Sequence, residues 1–128
     1  EKEVEFCEIT EGFTQMSGIY NSSYKDSMDR IQKKSNSKIN LIKTKSTPFN
    51  KIIPNNKIID FISIDIEGNE LDVINSIDFN QYEIKVILLE NNIPQKLSYL
   101  NFFNERNFSY FDRVGMDEIY FNKKYFNF

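Results

Sequence analysis

Three acidic residues lie close enough together after one apolar stretch to share a site. Asp65 ends the apolar run that begins at Ile58, and Glu67 and Glu70 follow shortly after it. If the run is a strand that extends to Glu67, Asp65 and Glu67 share a face, and if a helix begins there, Glu67 and Glu70 lie one turn apart. Like charges in a small volume raise a pKa or attract a cation. The pattern therefore predicts acid–base chemistry or a cation site.

A second polar group follows the next apolar run. Glu90 and Asn91 come directly after the stretch Ile84 to Leu89. Neighbouring strands of a sheet lie ~4.8 Å apart, so Glu90 would then face the same cleft as Asp65. Asn91 also has a structural alternative, because it could cap the helix that follows.

Structural alternatives also exist for the residues that follow Asp65. Glu70 could cap a helix from its first turn, and Glu67 could interact favourably with the helix dipole. Gly68 could let the helix pack close to the sheet or leave room for a ligand. Asp65 is harder to explain structurally, because a carboxylate that ends a buried strand loses hydration and needs partners.

Composition restricts the chemistry that the chain can perform. It has no His and one cysteine, Cys7, which excludes a Ser-His-Asp triad, a Cys-His dyad, His-bound zinc and an internal disulfide. The net charge of -3 disfavours nucleic-acid binding, and no window approaches the ~20 apolar residues of a membrane span. We therefore expect a cytoplasmic protein that uses Asp, Glu, Lys, Tyr or Cys and binds neither nucleic acid nor membrane.

The hydrophobic pattern predicts the elements that would position these residues. The continuous apolarity of Ile58 to Asp65 is typical of a strand that is covered on both faces. The polar segment Gly12 to Lys38 indicates a loop with a short helix near Asp26 to Lys33. The other predicted strands are one through Val4, Phe6 and Ile9, an alternating strand Asn40 to Ser46, a strand Ile84 to Leu89, and a hairpin of Phe108 to Val114 and Asp117 to Asn122 joined at Gly115. The other predicted helices are a short one capped by Thr47 and ending at Ile53, one from Glu67 to Ile77 with Leu71, Ile74 and Ile77 on its apolar face, and one with Pro94 in its first turn and Leu97, Leu100 and Phe103 on its apolar face.

This order of elements predicts an α/β fold. Strand, helix, strand, helix and strand in succession indicate a parallel sheet with right-handed crossovers, to which the final hairpin adds one antiparallel strand. Ligands in such sheets bind beyond the carboxyl ends of the strands. Asp65 and Glu90 both fall on that edge.

Two segments resemble a known family. The run DFISIDIEGNELDVINSIDF, from Asp60 to Phe79, resembles the signature of FkbM-type methyltransferases, in which a strand ends in Asp-x-Glu-Gly-x-Glu. The run VILLENN, from Val86 to Asn92, is similar to the next strand of that family, and the terminal FSYFDRVGMDEIYF resembles its closing hairpin. The resemblance implies a Rossmann-like methyltransferase that uses S-adenosylmethionine, usually on a hydroxyl group of a small molecule or glycan-like acceptor.

The resemblance also implies roles for the residues named above. Asp65 would lie beside the donor methyl group, and Asp65 or Glu67 would be the catalytic carboxylate that orients or deprotonates the acceptor. The remaining candidates would be substrate-side or structural, and no metal is implied. These are Gly68, Glu70, Glu90 and Asn91.

One feature of the family pattern is missing from the chain. Family members bind the cofactor with a Gly-rich turn after their first strand, whereas the four glycines here, at 12, 18, 68 and 115, do not follow that arrangement. We therefore interpret residues 1–128 as the carboxyl-terminal portion of a single Rossmann-like methyltransferase domain. In this interpretation the chain is a fragment whose sheet is incomplete at the amino-terminal side, and its cofactor-binding residues are unassigned.

Two other functions agree with the sequence. Asp65, Glu67 and Glu70 could form a Mg²⁺ site of a phosphoesterase or nuclease, because hard oxygen ligands suit that ion. Alternatively, the chain could be a non-catalytic α/β interaction module that binds a partner through exposed sheet edges.

Overall fold

The computed structural model describes residues 2–21, 24–25, 28–29, 37–94 and 98–126. The strands are β1 (Lys2–Ile9), β2 (Gly18–Ile19), β3 (Ile39–Ser46), β4 (Ile58–Ile64), β5 (Glu83–Glu90), β6 (Phe108–Val114) and β7 (Asp117–Asn122). The α-helices whose two ends are described are α1 (Phe49–Ile52), α2 (Glu70–Ser76) and α3 (Leu100–Asn104), and Thr14–Met16 forms a 3-10 turn. Met28 and Asp29 are helical, while most of the helix predicted over 26–33 lies outside the described residues.

The described strands form two sheets rather than one, so the chain is a mixed α/β protein with few helices. A four-stranded sheet has the order β4-β5-β7-β6, in which β4 and β5 are parallel and the other pairs antiparallel. A separate three-stranded antiparallel sheet has the order β2-β1-β3. The parallel pair and the final hairpin are confirmed. The prediction of one parallel sheet is wrong, because β1 and β3 pair with each other along their whole length.

The hairpin also contributes more than predicted. Both of its strands join the four-stranded sheet, with β7 beside β5 and β6 at the outer edge. In the described residues, β4 forms the opposite edge and has β5 as its neighbour. The prediction that this strand is covered on both faces is wrong, because Ile58 is 60% exposed and Phe61 55% exposed.

Each sheet has its own hydrophobic core. The larger core packs β4, β5 and β7 against the helices, and its fully buried members include Ile74, Ile87 and Phe103. The ring of Phe103 stacks on that of Tyr120 with 4.0 Å between centroids, which anchors α3 to the sheet. The smaller core lies under β1 and consists of Cys7, Ile9, Tyr24 and Met28.

The helices are shorter than predicted, and their apolar faces are only partly buried. α2 begins at Glu70 rather than Glu67, because Glu67 (φ 57°) and Gly68 (φ 97°) have left-handed backbone. Leu71 and Leu100, which were predicted to face the core, are 40% and 44% exposed. Leu97 lies outside the described residues. Among the described helices, none has the length and apolar composition that crossing a bilayer requires.

Candidate active site

The turn that follows β4 folds around the carboxylate of Glu70. Oε1 of Glu70 accepts hydrogen bonds from the backbone N–H groups of Ile66 (3.2 Å) and Gly68 (3.0 Å). Glu70 is 5% exposed, so these two bonds compensate part of the cost of burying its charge. Glu70 thus holds the turn that precedes α2, rather than capping the helix itself as the sequence suggested.

The backbone conformation gives Gly68 a role that neither sequence-based alternative included. A Cβ atom built on Gly68 would meet no heavy atom within 4 Å, so close packing of the helix on the sheet does not require glycine there. Gly68 is instead required by its positive φ of 97°, which side-chain-bearing residues rarely adopt. This conformation lets the chain turn back from β4 into α2.

Three carboxylates meet at the carboxyl ends of β4 and β5. Asp65, Glu70 and Glu90 each place an oxygen within 4.8 Å of the others. The parallel register explains this, because Ile64 pairs with Leu89 and the residues that follow them, Asp65 and Glu90, therefore lie side by side. The carboxylates of Glu90 and Asp65 therefore lie close together, as their positions at the ends of neighbouring strands predicted. Asp65 itself is exposed, so the argument that it loses hydration at a buried strand end is wrong.

Glu90 is the most electrostatically perturbed of the three. Burial and then the charge of Asp65 raise its pKa to about 7, and Glu67 and Glu70 act in the same direction, while a hydrogen bond from Asn92 opposes them. Among the described residues, Oε2 of Glu90 is buried and has no hydrogen-bond partner. A carboxyl group that is about half protonated at neutral pH can accept or release a proton there.

Glu67 lies on the side of the turn that faces the smaller sheet. A Cβ atom built on Gly18 would be 3.5 Å from Cβ of Glu67, and Glu67 is one of the charges that raise the pKa of Tyr24 after burial and Cys7. Burial, then the charges of Asp65 and Glu70, raise the pKa of Glu67. Glu67 is thus coupled to the three carboxylates electrostatically, although it is not one of the residues whose oxygens meet.

Asn69 joins this turn to the segment after β2. Nδ2 of Asn21 donates to Oδ1 of Asn69 over 2.6 Å, and the backbone N–H of Tyr24 donates to Oδ1 of Asn21 over 2.8 Å. Because Tyr24 fixes which end of the Asn21 amide accepts, the orientation of both amides is determined. Sequence reasoning missed both asparagines, since nothing in their spacing shows that residues 48 positions apart meet.

Asn91 has a structural role that differs from helix capping. It is 2% exposed, and its Nδ2 donates to Oε1 of Glu118 on β7 over 3.0 Å. Its Oδ1 accepts the N–H of Ile93 at 3.3 Å, which closes a tight turn after β5. Tyr99 lies nearby, and its pKa is raised well above the ordinary value by burial and then by the charges of Glu70, Glu118 and Glu90. Sequence reasoning found neither Glu118 nor Tyr99.

The three carboxylates could hold a small cation or a hydroxyl-bearing group. Asp65, Glu70 and Glu90 each offer an oxygen within 4.8 Å of the others, and such oxygens interact favourably with positive charge and with hydroxyl donors. Oε1 of Glu70 already accepts two backbone hydrogen bonds, which hold the turn.

Two open surface cavities lie at the amino ends of β4 and β5, opposite the end that carries the carboxylates. They have volumes of about 470 and 580 Å³ and share Phe79, Asn80 and Arg106 as lining residues. The smaller also touches Ile58 and Glu83, the first residues of β4 and β5. Neither cavity is lined by the carboxylates of the candidate site, so we assign them no part in its chemistry.

Comparison with known proteins gives one family. The model described as "Methyltransferase FkbM domain" matches residues 6–110, which include β2 to β5, part of β1 and the acidic residues Asp65, Glu67, Glu70 and Glu90. No curated protein and no solved structure gives a significant match.

Proposed function

This chain belongs to the FkbM methyltransferase family, and we propose that it transfers a methyl group from S-adenosylmethionine to a hydroxyl group of a small-molecule or glycan-like acceptor. The observation that carries the proposal is the meeting of Asp65, Glu70 and Glu90 at the carboxyl ends of two parallel strands. This edge is where open α/β sheets bind their ligands.

We assign the carboxylates different roles in the proposed reaction according to their exposure and their pKa values. S-adenosylmethionine, when bound, supplies an electrophilic methyl group. A hydroxyl is a weak nucleophile until its proton is removed, so a carboxylate of raised pKa is the better base at neutral pH. Asp65 is exposed and can contact and orient the acceptor. Glu67 and Glu90, whose pKa values are raised, are suited to take up the proton.

The exposed edge of the four-stranded sheet supports a proposal about domain organisation. Ile58 and Phe61 on β4 are more than half exposed, although they belong to a strand of seven residues that are mostly apolar. We propose that the chain forms the carboxyl-terminal portion of a single Rossmann-like domain, in which further strands pair with the edge of β4 that no described strand occupies. The Gly-rich cofactor loop would lie in the part of the domain that contains those further strands. A cytoplasmic location is also proposed, supported by the free thiol of the buried Cys7.

Titration calorimetry with S-adenosylmethionine tests the proposed function. The full-length protein should bind S-adenosylmethionine, while ATP, which has the same nucleoside but no sulfonium, should bind far more weakly. Failure of the full-length protein to bind S-adenosylmethionine would overturn the assignment.

Variants separate donor binding from methyl transfer. In an assay that follows a labelled methyl group onto a panel of hydroxyl acceptors, Asp65→Asn and Glu90→Gln should each lose activity by ~10²-fold or more, while donor binding is retained. Asp60→Asn is the matched control, because Asp60 lies on β4 with a side chain that is 83% exposed and pairs with Lys85. Its activity should be unchanged.

A carboxylate-based Mg²⁺-dependent hydrolase is the second candidate function. The three oxygens within 4.8 Å favour it, although Glu90 takes the place that the sequence suggested for Glu67. Thermal unfolding with and without Mg²⁺ distinguishes the hydrolase from the methyltransferase. Stabilisation by Mg²⁺ that disappears in Asp65→Asn would support the hydrolase, and no effect of Mg²⁺ would exclude it. Self-association without donor binding would instead support an interaction module that uses the β4 edge.

A further inference from the structure

The carboxylate of Glu118 is the centre of a buried hydrogen-bond network between the terminal hairpin and the turn after β5. Glu118 is 8% exposed. Its Oε1 accepts bonds from Nδ2 of Asn91 (3.0 Å) and Nη1 of Arg113 (3.2 Å), and its Oε2 accepts the hydroxyl of Tyr120 (2.6 Å). We call Asn91, Arg113, Glu118 and Tyr120 the hairpin network. Both oxygens of its central carboxylate are satisfied, as a buried charge requires.

The hairpin network holds Asn91 by its backbone as well as its side chain. Nη2 of Arg113 donates to the carbonyl oxygen of Asn91 over 2.8 Å, and Nε of Arg113 donates to that of Gly115 over 3.1 Å. The N–H of Asn91 donates to the carbonyl oxygen of Met116 over 2.8 Å. The residue that follows Glu90 is therefore fixed at its N–H, its carbonyl and its amide, all by the hairpin.

We infer that Arg113 and Glu118 are positioning residues that keep the Glu90 carboxyl group in the cleft beside Asp65. The inference rests on the proposed function for the role of Glu90 in the reaction. Glu90 forms the last residue pair between β5 and β7, opposite Asp117, where strand pairing would otherwise fray. Because Asn91 is anchored, the backbone of Glu90 cannot rotate away from the sheet edge. Its side chain therefore stays partly buried among the other carboxylates.

Apart from burial, the groups that act most strongly on the pKa of Glu90 are different from those of the hairpin network. They are the carboxylates of Asp65, Glu67 and Glu70 and the side chain of Asn92, and the charge of Glu90 in turn raises the pKa of Tyr99. Arg113 and Glu118 are not among these main contributors. A large effect of either residue on Glu90 would therefore act through the position of the turn.

The direction in which Arg113→Met changes the pKa of Glu90 distinguishes a positioning role of Arg113 from a direct electrostatic effect. Arg113→Met removes a positive charge, which by direct interaction would raise the pKa of a carboxyl group. If Arg113 instead holds the turn, its loss lets Glu90 move toward water and away from Asp65, which lowers the pKa of Glu90 toward the ordinary value. We expect a decrease of about one unit or more, or a tenfold fall in proton affinity.

A carboxyl-carbon NMR titration of the full-length protein, with labelled glutamate and in EDTA, measures this pKa. The Glu90 signal is identified as the one that disappears in Glu90→Gln. Glu118→Gln keeps a carbonyl oxygen that can accept from Asn91, so its effect should be smaller than that of Arg113→Met. Arg106→Met is the matched control, because Arg106 donates to the carbonyl of Phe102 and lines the cavities at the opposite end of the sheet. It should leave the Glu90 titration unchanged.

Two outcomes would overturn the inference. One is a folded Arg113→Met protein in which the pKa of Glu90 is unchanged or raised. If Arg113→Met does not fold, Arg113→Lys replaces it, since lysine keeps the charge but cannot bond two acceptors as a fork. An unchanged pKa in Arg113→Lys is the second overturning outcome. The titration needs no methyl transfer, so failure to bind S-adenosylmethionine would refute the proposed function and leave this result standing.

Discussion

The side-chain amide of Asn21 donates a hydrogen bond of 2.6 Å to Asn69, and this bond connects the smaller sheet to the turn that carries the acidic residues. Asn69 is 4% exposed, so the bond is largely shielded from water. A side-chain bond of this kind contributes about 1 kcal/mol to stability.

A double-mutant cycle should detect the coupling between Asn21 and Asn69. We expect Asn21→Ala and Asn69→Ala to be non-additive by about 1 kcal/mol in the free energy of unfolding, measured with urea. The control cycle combines Asn21→Ala with Asn104→Ala, since Asn104 is exposed at the end of α3. Additive effects in both cycles would contradict the predicted coupling.

Replacement of Glu70 should show that its carboxylate holds the turn. Glu70→Ala leaves the N–H groups of Ile66 and Gly68 without their acceptor, and we expect it to reduce the free energy of unfolding by about 2–3 kcal/mol. Glu70→Gln keeps an acceptor oxygen and should cost about 1 kcal/mol or less. Asp72→Asn, at an exposed position in the same helical turn, serves as the control. If Glu70→Ala costs no more than this control, the turn does not depend on Glu70.

Substitution of Gly68 should be costly because of its backbone conformation. Gly68→Ala meets no neighbouring atom but must adopt a φ of 97°, so we expect a loss of about 1–2 kcal/mol in urea unfolding. Gly68→Asn should cost less, because asparagine tolerates left-handed backbone better than alanine. Gly115→Ala provides a parallel case with a φ of 65° and open space around it. An alanine at 68 without any cost would show that the turn relaxes.

The raised pKa of Glu90 predicts a pH dependence of stability. Its pKa is about 7 in the folded chain and ~4.3 when unfolded, so between these values the folded state binds more protons. Stability from this group is therefore present below pH ~4.3 and is lost as the pH rises toward 7.

Glu90→Gln should remove that dependence. Compared with the wild type, the variant should be more stable at pH 8 by about 1–2 kcal/mol, less than the full shift implies because solvent screens a partly exposed group. Thermal or urea unfolding between pH 4 and 8 measures the difference, with Glu105→Gln, an exposed glutamate at the opposite end of the sheet, as the control. A difference between Glu90→Gln and the wild type that does not change with pH would contradict the prediction.

The sequence predicted local elements well and their assembly less well. The strands Phe108–Val114 and Asp117–Asn122 were predicted with the observed bounds, because a short apolar-polar pattern around Gly115 determines them. That β1 pairs with β3 could not be predicted, since an alternating pattern shows which face is apolar but does not identify the neighbouring strand.

The candidate site was likewise predicted only in part. Asp65 and Glu90 were expected to meet because both end strands that were predicted to be parallel neighbours, and they do. Glu67 was expected to share their position, but the left-handed backbone at Glu67 turns it toward the smaller sheet. Glu118 could not be recognised from the sequence, because its role depends on a contact with Asn91 that only the folded sheet creates.

The hairpin network also determines when during protein synthesis the acidic cleft can form. Asn91 is separated from Glu118 by 27 positions, and Arg113 and Glu118 are made after all of the carboxylates that they help to arrange. On the ribosome, β4 and β5 can therefore emerge while Glu90 is still free to turn toward water. The arrangement is completed only when β7 has emerged and paired with β5, which is well after the carboxylates themselves have been made.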